Sequence, residues 1–373
     1  MIAKNVLKEA WKGIDFSEYW NDQLVRPTKA DAAADVHLCC NVPSLDAERI
    51  QVVNGQVDSP DGKLRIRVGR NEQRHQPLQI QSVVCMSQKA LVELETIIEV
   101  EEGARVQIIH CDDTVGDLRS LSNNRTEIRI GRNAEVEYYK MQNLNNQSGL
   151  INQTFVVMEA DSRMRMNCLT LNGGHICNHI EVRMKGEGCE LNADGLYLMD
   201  HDQRCDNYIF VEHACPHCKS SELYKGIIDD AAKASFNGHV LVQDGALKTE
   251  AYQSNKNILL TDKARVETKP FLEIYNDDVK CSHGSTIGQL DEQALFYLQT
   301  RGISERTAKT MLSYAFCDEV IRQVGIAPLR EAMEDMVKKR LHGQLTPCSE
   351  CSIKCSTPCN GPEANFPIDV TKL

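Results

Sequence analysis

The sequence predicts a mainly β protein, in which a solenoid of strands lies between an N-terminal helical and mixed region and a C-terminal helical module. Two observations support this prediction. A short strand–turn–strand pattern recurs between Leu78 and Leu272, and helical periodicity replaces it after Gly288. The boundaries that follow are 1–77 for the N-terminal region, 78–288 for the solenoid, 289–341 for the helical module and 342–373 for a cysteine-rich irregular tail.

Each copy of the repeat has apolar residues in alternation, a polar turn, one small residue and a second alternating stretch. Side chains of a strand alternate between two faces, and Gly, Asn and Asp supply tight turns. Units that cannot each bury a face alone must stack, and a small residue suits the crowded corner between stacked coils. An all-β sandwich built from hairpins is the alternative. The small residues that mark the copies are Ala104, Ala134, Ser162, Cys189, Ala246 and Ala264.

Helical spacing marks both ends of the chain. The N-terminal stretch predicts a small amphipathic helix and not a signal peptide, because charged residues interrupt its apolar positions. Near the C-terminus, "LDEQALFYLQTRG" predicts a helix that ends at Gly302, and Ser304 is the expected N-cap of the next helix. A third helix, "APLREAMEDMVKKRL", collects basic residues in its last turn. The N-terminal apolar positions are Ile2, Val6, Leu7, Ala10 and Ile14.

Composition excludes several classes of function. The chain has 42 Lys and Arg against 53 Asp and Glu, a formal net charge of −11, so a nucleic-acid backbone would be repelled. No apolar run reaches the ~18 residues that a membrane span needs, and we expect a cytoplasmic protein. The chain also lacks a phosphate-binding loop and a dinucleotide fingerprint, so we expect no nucleotide site.

Sixteen cysteines are unusual for a protein of a reducing compartment, where they do not form a disulfide framework. Cys281 and His283 lie two residues apart, so in an extended segment both side chains point to one face. Thiolate and imidazole suit Fe, Cu or Zn, but two ligands are too few for a closed site. From the spacing alone, a metal site, a catalytic dyad and simple packing all remain open.

A resemblance goes further than the spacing. The segment "YNDDVKCSHGSTIGQLDEQALFYLQTRGISERTA" resembles the hallmark segment of the SufD branch of the SufB/SufD family, which acts in iron–sulfur cluster assembly. Upstream stretches such as "HACPHCKSSELYKGIIDD" and "CELNADGLYLMD" are similar to the same family, from about Ile50 to Val324. The SufB branch has an acidic sequence where this chain has "CSHGST".

The resemblance implies a right-handed parallel β-helix and a non-catalytic subunit. Such a subunit pairs with SufB, and each of the two binds one copy of the ABC-type ATPase SufC through its C-terminal helices, so ATP acts through the partner. Cys281 and His283 correspond to the residues implicated in nascent cluster or iron binding at the SufB interface. We expect a homodimer when the chain is expressed alone, because an open strand edge invites pairing. The alternatives are a SufB-like homodimeric main scaffold and a β-helix enzyme acting on polysaccharide, for which the sequence offers no aromatic-lined groove.

Two groups contain cysteines that are not part of the family pattern. One is a crowded stretch that indicates packing inside the solenoid or an auxiliary metal site; it contains Cys205, His213, Cys215, His217 and Cys218. The other is the tail, whose spacing C-x2-C-x3-C-x3-C is one residue longer than a bacterial ferredoxin run. The tail is expected to bind a metal or a cluster, with a redox-labile segment as the alternative; its cysteines are Cys348, Cys351, Cys355 and Cys359.

Overall fold

The structure is a computed structural model that describes residues 14–20, 23–32 and 45–342. The strands within these ranges are β1 Glu48–Val53, β2 Lys63–Val68, β3 Leu78–Val84, β4 Ala90–Val100, β5 Arg105–Thr114, β6 Ser120–Ile130, β7 Glu135–Asn143, β8 Gly149–Met158, β9 Arg163–Asn172, β10 His175–Met184, β11 Glu190–Met199, β12 Arg204–His213, β13 Lys219–Ile228, β14 Lys233–Val242, β15 Glu250–Leu259, β16 Arg265–Ile274 and β17 Lys280–Gly288. The helices are α1 Ser17–Trp20, α2 Glu292–Thr300, α3 Glu305–Ile321 and α4 Ala327–Leu341, and a 3₁₀ turn spans Lys29–Ala32.

The strands form two parallel sheets that face each other. Odd-numbered strands make a nine-stranded sheet in the order β1 to β17, and even-numbered strands make an eight-stranded sheet in the order β2 to β16. Each coil therefore gives one strand to each sheet and stacks on the coil before it, for example with Arg105 beside Glu135 and Glu135 beside Arg163. The predicted solenoid is confirmed, and the alternative of a hairpin sandwich is wrong, because neighbouring strands in each sheet are parallel and not antiparallel.

The small residues predicted at the corners are buried. Ala104, Ala134, Ser162 and Cys189 each immediately precede an odd-numbered strand, and their relative exposure is 1% or less. Ala264 is also buried but precedes β16, so it lies at a turn into the even-numbered sheet.

The solenoid begins at β1, before the boundary at residue 78 that the sequence indicates. β1 pairs in register with β3, and β2 pairs in register with β4. These first strands are only six residues long, so their alternation gives a weak signal. The predicted N-terminal amphipathic helix lies outside the described residues except for Ile14, which precedes α1.

The space between the two sheets is polar as well as apolar. Asp112 on β5 and Lys140 on β7 form a buried ion pair of 2.7 Å, and Asn124 on β6 donates to Asp112 from the opposite sheet at 3.0 Å. Further along, Gln142 donates to Asn178 across the two sheets at 2.7 Å. Buried polar groups of this kind need partners, and here the neighbouring coils provide them.

Helices α3 and α4 cover the outer face of the odd-numbered sheet. Their buried residues, among them Cys317, Ile321 and Met333, pack against Ile109 and Leu198 of the strands. The predicted caps are present: the Ser304 hydroxyl accepts from the amide of Thr307 at 3.2 Å, and Gly302 has φ +83° after α2.

Two buried cations fix the helices to the sheet. Arg340 of α4 donates to the carbonyl of Leu171 at 2.8 Å and pairs with Asp200 at 2.5 Å. Lys225 of β13 donates to the carbonyl of Phe316 in α3 at 2.8 Å. The helical module is therefore part of the body of the protein and not an appended arm.

Candidate functional site

Cys281 and His283 lie on β17, the last strand of the odd-numbered sheet. Of the strands that the structure describes, β17 pairs with β15 alone, with Cys281 beside Ala251 and His283 beside Gln253. As expected from their spacing, both side chains are on one face of the strand, the face that continues the interior of the solenoid. The His283 side chain is exposed and has no hydrogen-bond or ion-pair partner among the described residues. The two groups are thus presented together at an open strand edge.

The local sequence keeps this edge open. A Cβ atom added to Gly284 would meet no heavy atom within 4 Å, and the same holds for Gly288 at the end of the strand. The chain then turns into α2, whose first amides are capped by the Asp291 carboxylate at 2.8 and 3.3 Å. β17 is therefore held on one side by β15 and followed by a capped helix, and no strand among the described residues pairs with its other edge.

The Cys281 thiol is half-buried. Burial raises its pKa, and the backbone amide of Ala251 opposes that rise. A free thiol at this position stays protonated at neutral pH, and a bound metal would displace its proton. His283 needs no such deprotonation, because neutral imidazole is already a ligand.

A polar ladder that the sequence analysis missed runs behind His283. Gln253, its neighbour on β15, donates to the Glu222 carboxyl on β13 at 2.6 Å. Burial raises the pKa of Glu222 to about 8, so this carboxyl is largely protonated at neutral pH. Gly238 on the opposite sheet makes room for the amide, since a Cβ there would lie 2.3 Å from Gln253 Nε2. No local pattern in the sequence reveals this contact. It depends on strand register, which places residues about thirty positions apart side by side.

The other predicted metal ligands form two groups, one between Cys205 and Cys218 and one in the tail. Within the ranges that the structure describes, no group of three or more His, Cys, Asp or Glu residues is arranged to hold a metal ion. The auxiliary metal site is thus not supported: Cys205 and His213 are buried, and His213 instead bonds Ser220 at 3.0 Å, with its pKa lowered to about 4 by burial. His217 is exposed in the turn after β12, while Cys215 and Cys218 lie at the coil corner. The four tail cysteines, Cys348, Cys351, Cys355 and Cys359, lie outside the described residues.

The last coil also carries an exposed apolar surface, which we call the terminal patch. β16 and β17 are the final described strands of their sheets, so within residues 14–20, 23–32 and 45–342 each has one backbone edge without a strand partner. Large apolar side chains exposed on these strands and beyond are Phe271, Ile274, Tyr275, Ile287, Phe296 and Tyr297. Unpaired edges with exposed apolar residues are typical of an interaction surface.

Comparison with known proteins identifies the family. The family described as "SUF system FeS cluster assembly, SufBD core domain" matches residues 83–316. The iron–sulfur cluster assembly protein SufD of Escherichia coli is 31% identical over 246 residues, covering 66% of this chain and 58% of its own length. A SufBD family protein of Synechocystis is 31% identical over 258 residues, covering 67% and 57%, and the SufD of Bacillus subtilis is 25% identical over 287 residues, covering 75% and 64%.

The chain spans less than two thirds of the length of each of these relatives. The structure describes no helix that is both long and apolar enough to cross a membrane. The parallel solenoid, the motif around Cys281 and the match over more than half of the residues agree with one another. The chain belongs to the SufBD family of iron–sulfur cluster assembly proteins, and within it is SufD-like.

Proposed function

We propose that the chain is the non-catalytic SufD-type subunit of a SufB–SufC–SufD assembly complex, in which it supports iron acquisition and nascent cluster assembly together with SufB. Family membership and the relatives named SufD support this role. The proposal includes the right-handed sense of the β-helix. The iron or the nascent cluster is cargo that passes through the complex and is not a resident cofactor of this chain.

The terminal patch is the surface that meets the SufB-type partner. A partner solenoid that pairs its own last strands with β16 and β17 would satisfy both unpaired edges and cover the apolar side chains. In isolation the same surface pairs two copies of this chain, so we propose a homodimer. Light scattering that gives a monomer at tens of micromolar concentration would contradict this part.

Cys281 and His283 supply two ligands to iron at that interface, and the partner supplies the others. The observation that carries this proposal is their shared face on an edge strand, open on the partner side. Two soft or borderline ligands on one chain need at least two more from elsewhere to complete a tetrahedral iron site. The described residues place no third His, Cys, Asp or Glu with them.

The test uses His283→Ala and Cys281→Ala in the reconstituted complex, with Ser285→Ala as a matched control on the same face of β17. We expect both ligand variants to lower anaerobic iron and sulfide content, with His283→Ala the more severe, while the control loads normally. Melting temperature and partner binding should change little, because exposed interface residues contribute little packing. Truncation of a buried residue, by contrast, lowers stability by ~2–5 kcal/mol. Normal iron loading in the double variant would refute the ligand assignment.

Helices α3 and α4 dock the SufC ATPase. Their inner faces are committed to the odd-numbered sheet, which leaves their outer faces, including Glu331 and Asp335, for a partner. Deleting residues 303–373 would uncover the apolar sheet beneath, so it tests folding as much as docking. Charge reversal is cleaner: Glu331→Lys with Asp335→Lys should abolish SufC pull-down. Glu99→Lys, on the even-numbered sheet, should leave SufC pull-down unchanged. If both variants pull down equal amounts of SufC, the docking surface lies elsewhere on the protein.

A further inference from the structure

One corner of the solenoid brings three thiols together. Cys218 immediately precedes β13 and Cys189 immediately precedes β11, and because Glu190 pairs with Lys219 these two cysteines are stacked in successive coils. Cys215 lies in the turn that leads to Cys218. Sequence separation hides this cluster, because Cys189 is 26 residues before Cys215 and 29 residues before Cys218.

The three sulfur atoms converge on two consecutive backbone carbonyls. Cys189 Sγ lies 3.2 Å and Cys218 Sγ 3.3 Å from the carbonyl oxygen of Gly186. Cys215 Sγ lies 3.2 Å from the carbonyl oxygen of Lys185. The turn fits only because residue 186 is glycine, since a Cβ there would lie 1.9 Å from the backbone nitrogen of Ala160 in the coil before.

The thiols differ in access and in acidity. Cys189 and Cys218 are fully buried, whereas Cys215 is partly exposed. A hydrogen bond from the Cys218 thiol lowers the pKa of Cys189 to about 7, with further help from the Ser162 hydroxyl. The same hydrogen bond, followed by burial, raises the pKa of Cys218. One buried thiol is thus more acidic than usual and shares a carbonyl acceptor with a second buried thiol. The third thiol, Cys215, reaches solvent, although partial burial raises its pKa.

We propose that Cys189, Cys215 and Cys218 form a thiol–disulfide exchange site whose substrates are low-molecular-weight disulfides. The Cys-Pro-His-Cys segment of Cys215 to Cys218 has the Cys-Xaa-Xaa-Cys spacing of dithiol redox centres, and Cys189 adds a third thiol from the preceding coil. Inert structural cysteines are isolated in apolar surroundings. These three instead surround the carbonyl oxygens of Lys185 and Gly186, and Cys215 is partly exposed to solvent.

The exchange proceeds in two balanced steps. The Cys215 thiol, the accessible one, loses its proton to solvent and attacks one sulfur of the disulfide, which forms a mixed disulfide and expels one thiolate. The Cys218 sulfur then attacks the Cys215 sulfur, forms the Cys215–Cys218 disulfide and expels the second thiolate. The protons lost by Cys215 and Cys218 end on the two leaving thiolates, so two protein thiols and one disulfide give one protein disulfide and two small thiols.

Cys189 completes the relay. Its thiolate attacks the Cys218 sulfur, which moves the disulfide to Cys189–Cys218, and the released Cys215 sulfur takes up a proton. The product links two coils at a place where strands are already hydrogen-bonded in register. The exposed thiol is thereby returned to its reduced state.

The test incubates the full-length chain with oxidised glutathione under anaerobic conditions and maps every cysteine by peptide-level alkylation and mass spectrometry. We expect a Cys189–Cys218 disulfide with Cys215 free. Cys189→Ser should stop the relay at Cys215–Cys218, and Cys218→Ser should leave Cys215 as a persistent mixed disulfide with glutathione. Cys215→Ser should slow oxidation of the buried pair by at least about tenfold, because the accessible thiol is lost.

Serine is a suitable replacement, because Ser162 occupies the equivalent corner one coil earlier. Cys85→Ser is the matched control: Cys85 is also partly exposed but lies far along the solenoid, and its loss should change none of these products. Two outcomes overturn the proposal. One is a wild-type chain in which Cys189 and Cys218 stay reduced while Cys85 reacts, and the other is a mixed disulfide on Cys215 that no second thiol resolves.

Discussion

Replacing Glu222 by Gln should stabilise the protein at alkaline pH and change little at acidic pH. Glu222 lies in the ladder behind His283, fully buried, and Gln253 is the neighbour that donates to it. Burial raises the pKa of this carboxyl from 4.5 to about 8. A neutral amide at position 222 keeps the shape and a hydrogen bond to Gln253 but removes the ionisable group.

The size of the effect follows from linkage. The rise in the pKa of Glu222 from 4.5 to about 8 corresponds to a loss of about 5 kcal/mol in the free energy of unfolding, at 1.36 kcal/mol for each pKa unit. Below pH 4.5 the carboxyl is protonated in both states and contributes nothing unfavourable. Between pH 4.5 and 8 the unfolded chain releases the proton while the folded chain retains it, so the free energy of unfolding falls. Above pH 8 the carboxyl is ionised in both states and the loss of stability is constant. The free energy of unfolding falls by about 3 kcal/mol between pH 5.5 and pH 8.5.

The assay is urea unfolding of the wild type and Glu222→Gln at pH 5.5, 7.0 and 8.5. Only the difference between the two proteins is interpreted, because other groups titrate in both. The variant should gain about 3 kcal/mol relative to the wild type from the lowest to the highest pH. Glu190→Gln, a partly exposed carboxylate on the same sheet, should show no such gain. A pH-independent difference between Glu222→Gln and the wild type would show that the carboxyl is ionised in the folded protein, and the reasoning would be refuted.

Three further predictions concern other parts of the chain. Arg340→Ala leaves the Asp200 carboxylate without its buried partner and should lower stability by about 3 kcal/mol. Lys309→Ala, at an exposed pair with Glu305, should cost less than about 1 kcal/mol. Thermal melting compares the two variants, and equal losses of stability would contradict the anchoring role of α4. Gly186→Ala places a Cβ against the backbone of the coil before and should lower the free energy of unfolding by at least about 2 kcal/mol. An unchanged melting temperature would show that the backbone at this corner is not closely packed. A synthetic peptide of residues 342–373 should bind Zn²⁺ with release of protons, and binding no tighter than that of a scrambled peptide would exclude an autonomous tail site.

The solenoid was predictable because its signal is local and repeated. Each copy combines alternation, a turn and a small residue such as Ala104 or Ala134, and these features need no knowledge of distant partners. β1 and β2 escaped prediction because strands of six residues allow only about three inward positions each, and the turn at Asn54 and Gly55 separates them. Short alternation of this kind is common by chance.

The site was predictable only in part, for a physical reason. Cys281 and His283 share a face because they are two residues apart, which any strand would ensure. Gln253 and Glu222 contact each other through register, and the length of the intervening loops sets that register. The same limit applies to Cys189 and Cys218, whose proximity depends on the combined length of β12 and the two turns between the paired strands. The sequence shows how far apart two residues are along the chain. Contacts between neighbouring coils depend instead on the number of residues in each coil, which is nearly thirty.

The attachment of α3 has a mechanical consequence for the last strand. α3 is fixed to β13 through Lys225, and β13, β15 and β17 are consecutive strands of one hydrogen-bonded sheet. Neighbouring strands are ~4.8 Å apart, so the anchor lies about 10 Å from the strand that carries His283. A hydrogen-bonded sheet resists stretching along this direction, because every residue of each strand would have to lose its bonds at once. A displacement of α3 would therefore be transmitted to the terminal strand through the hydrogen bonds of the sheet.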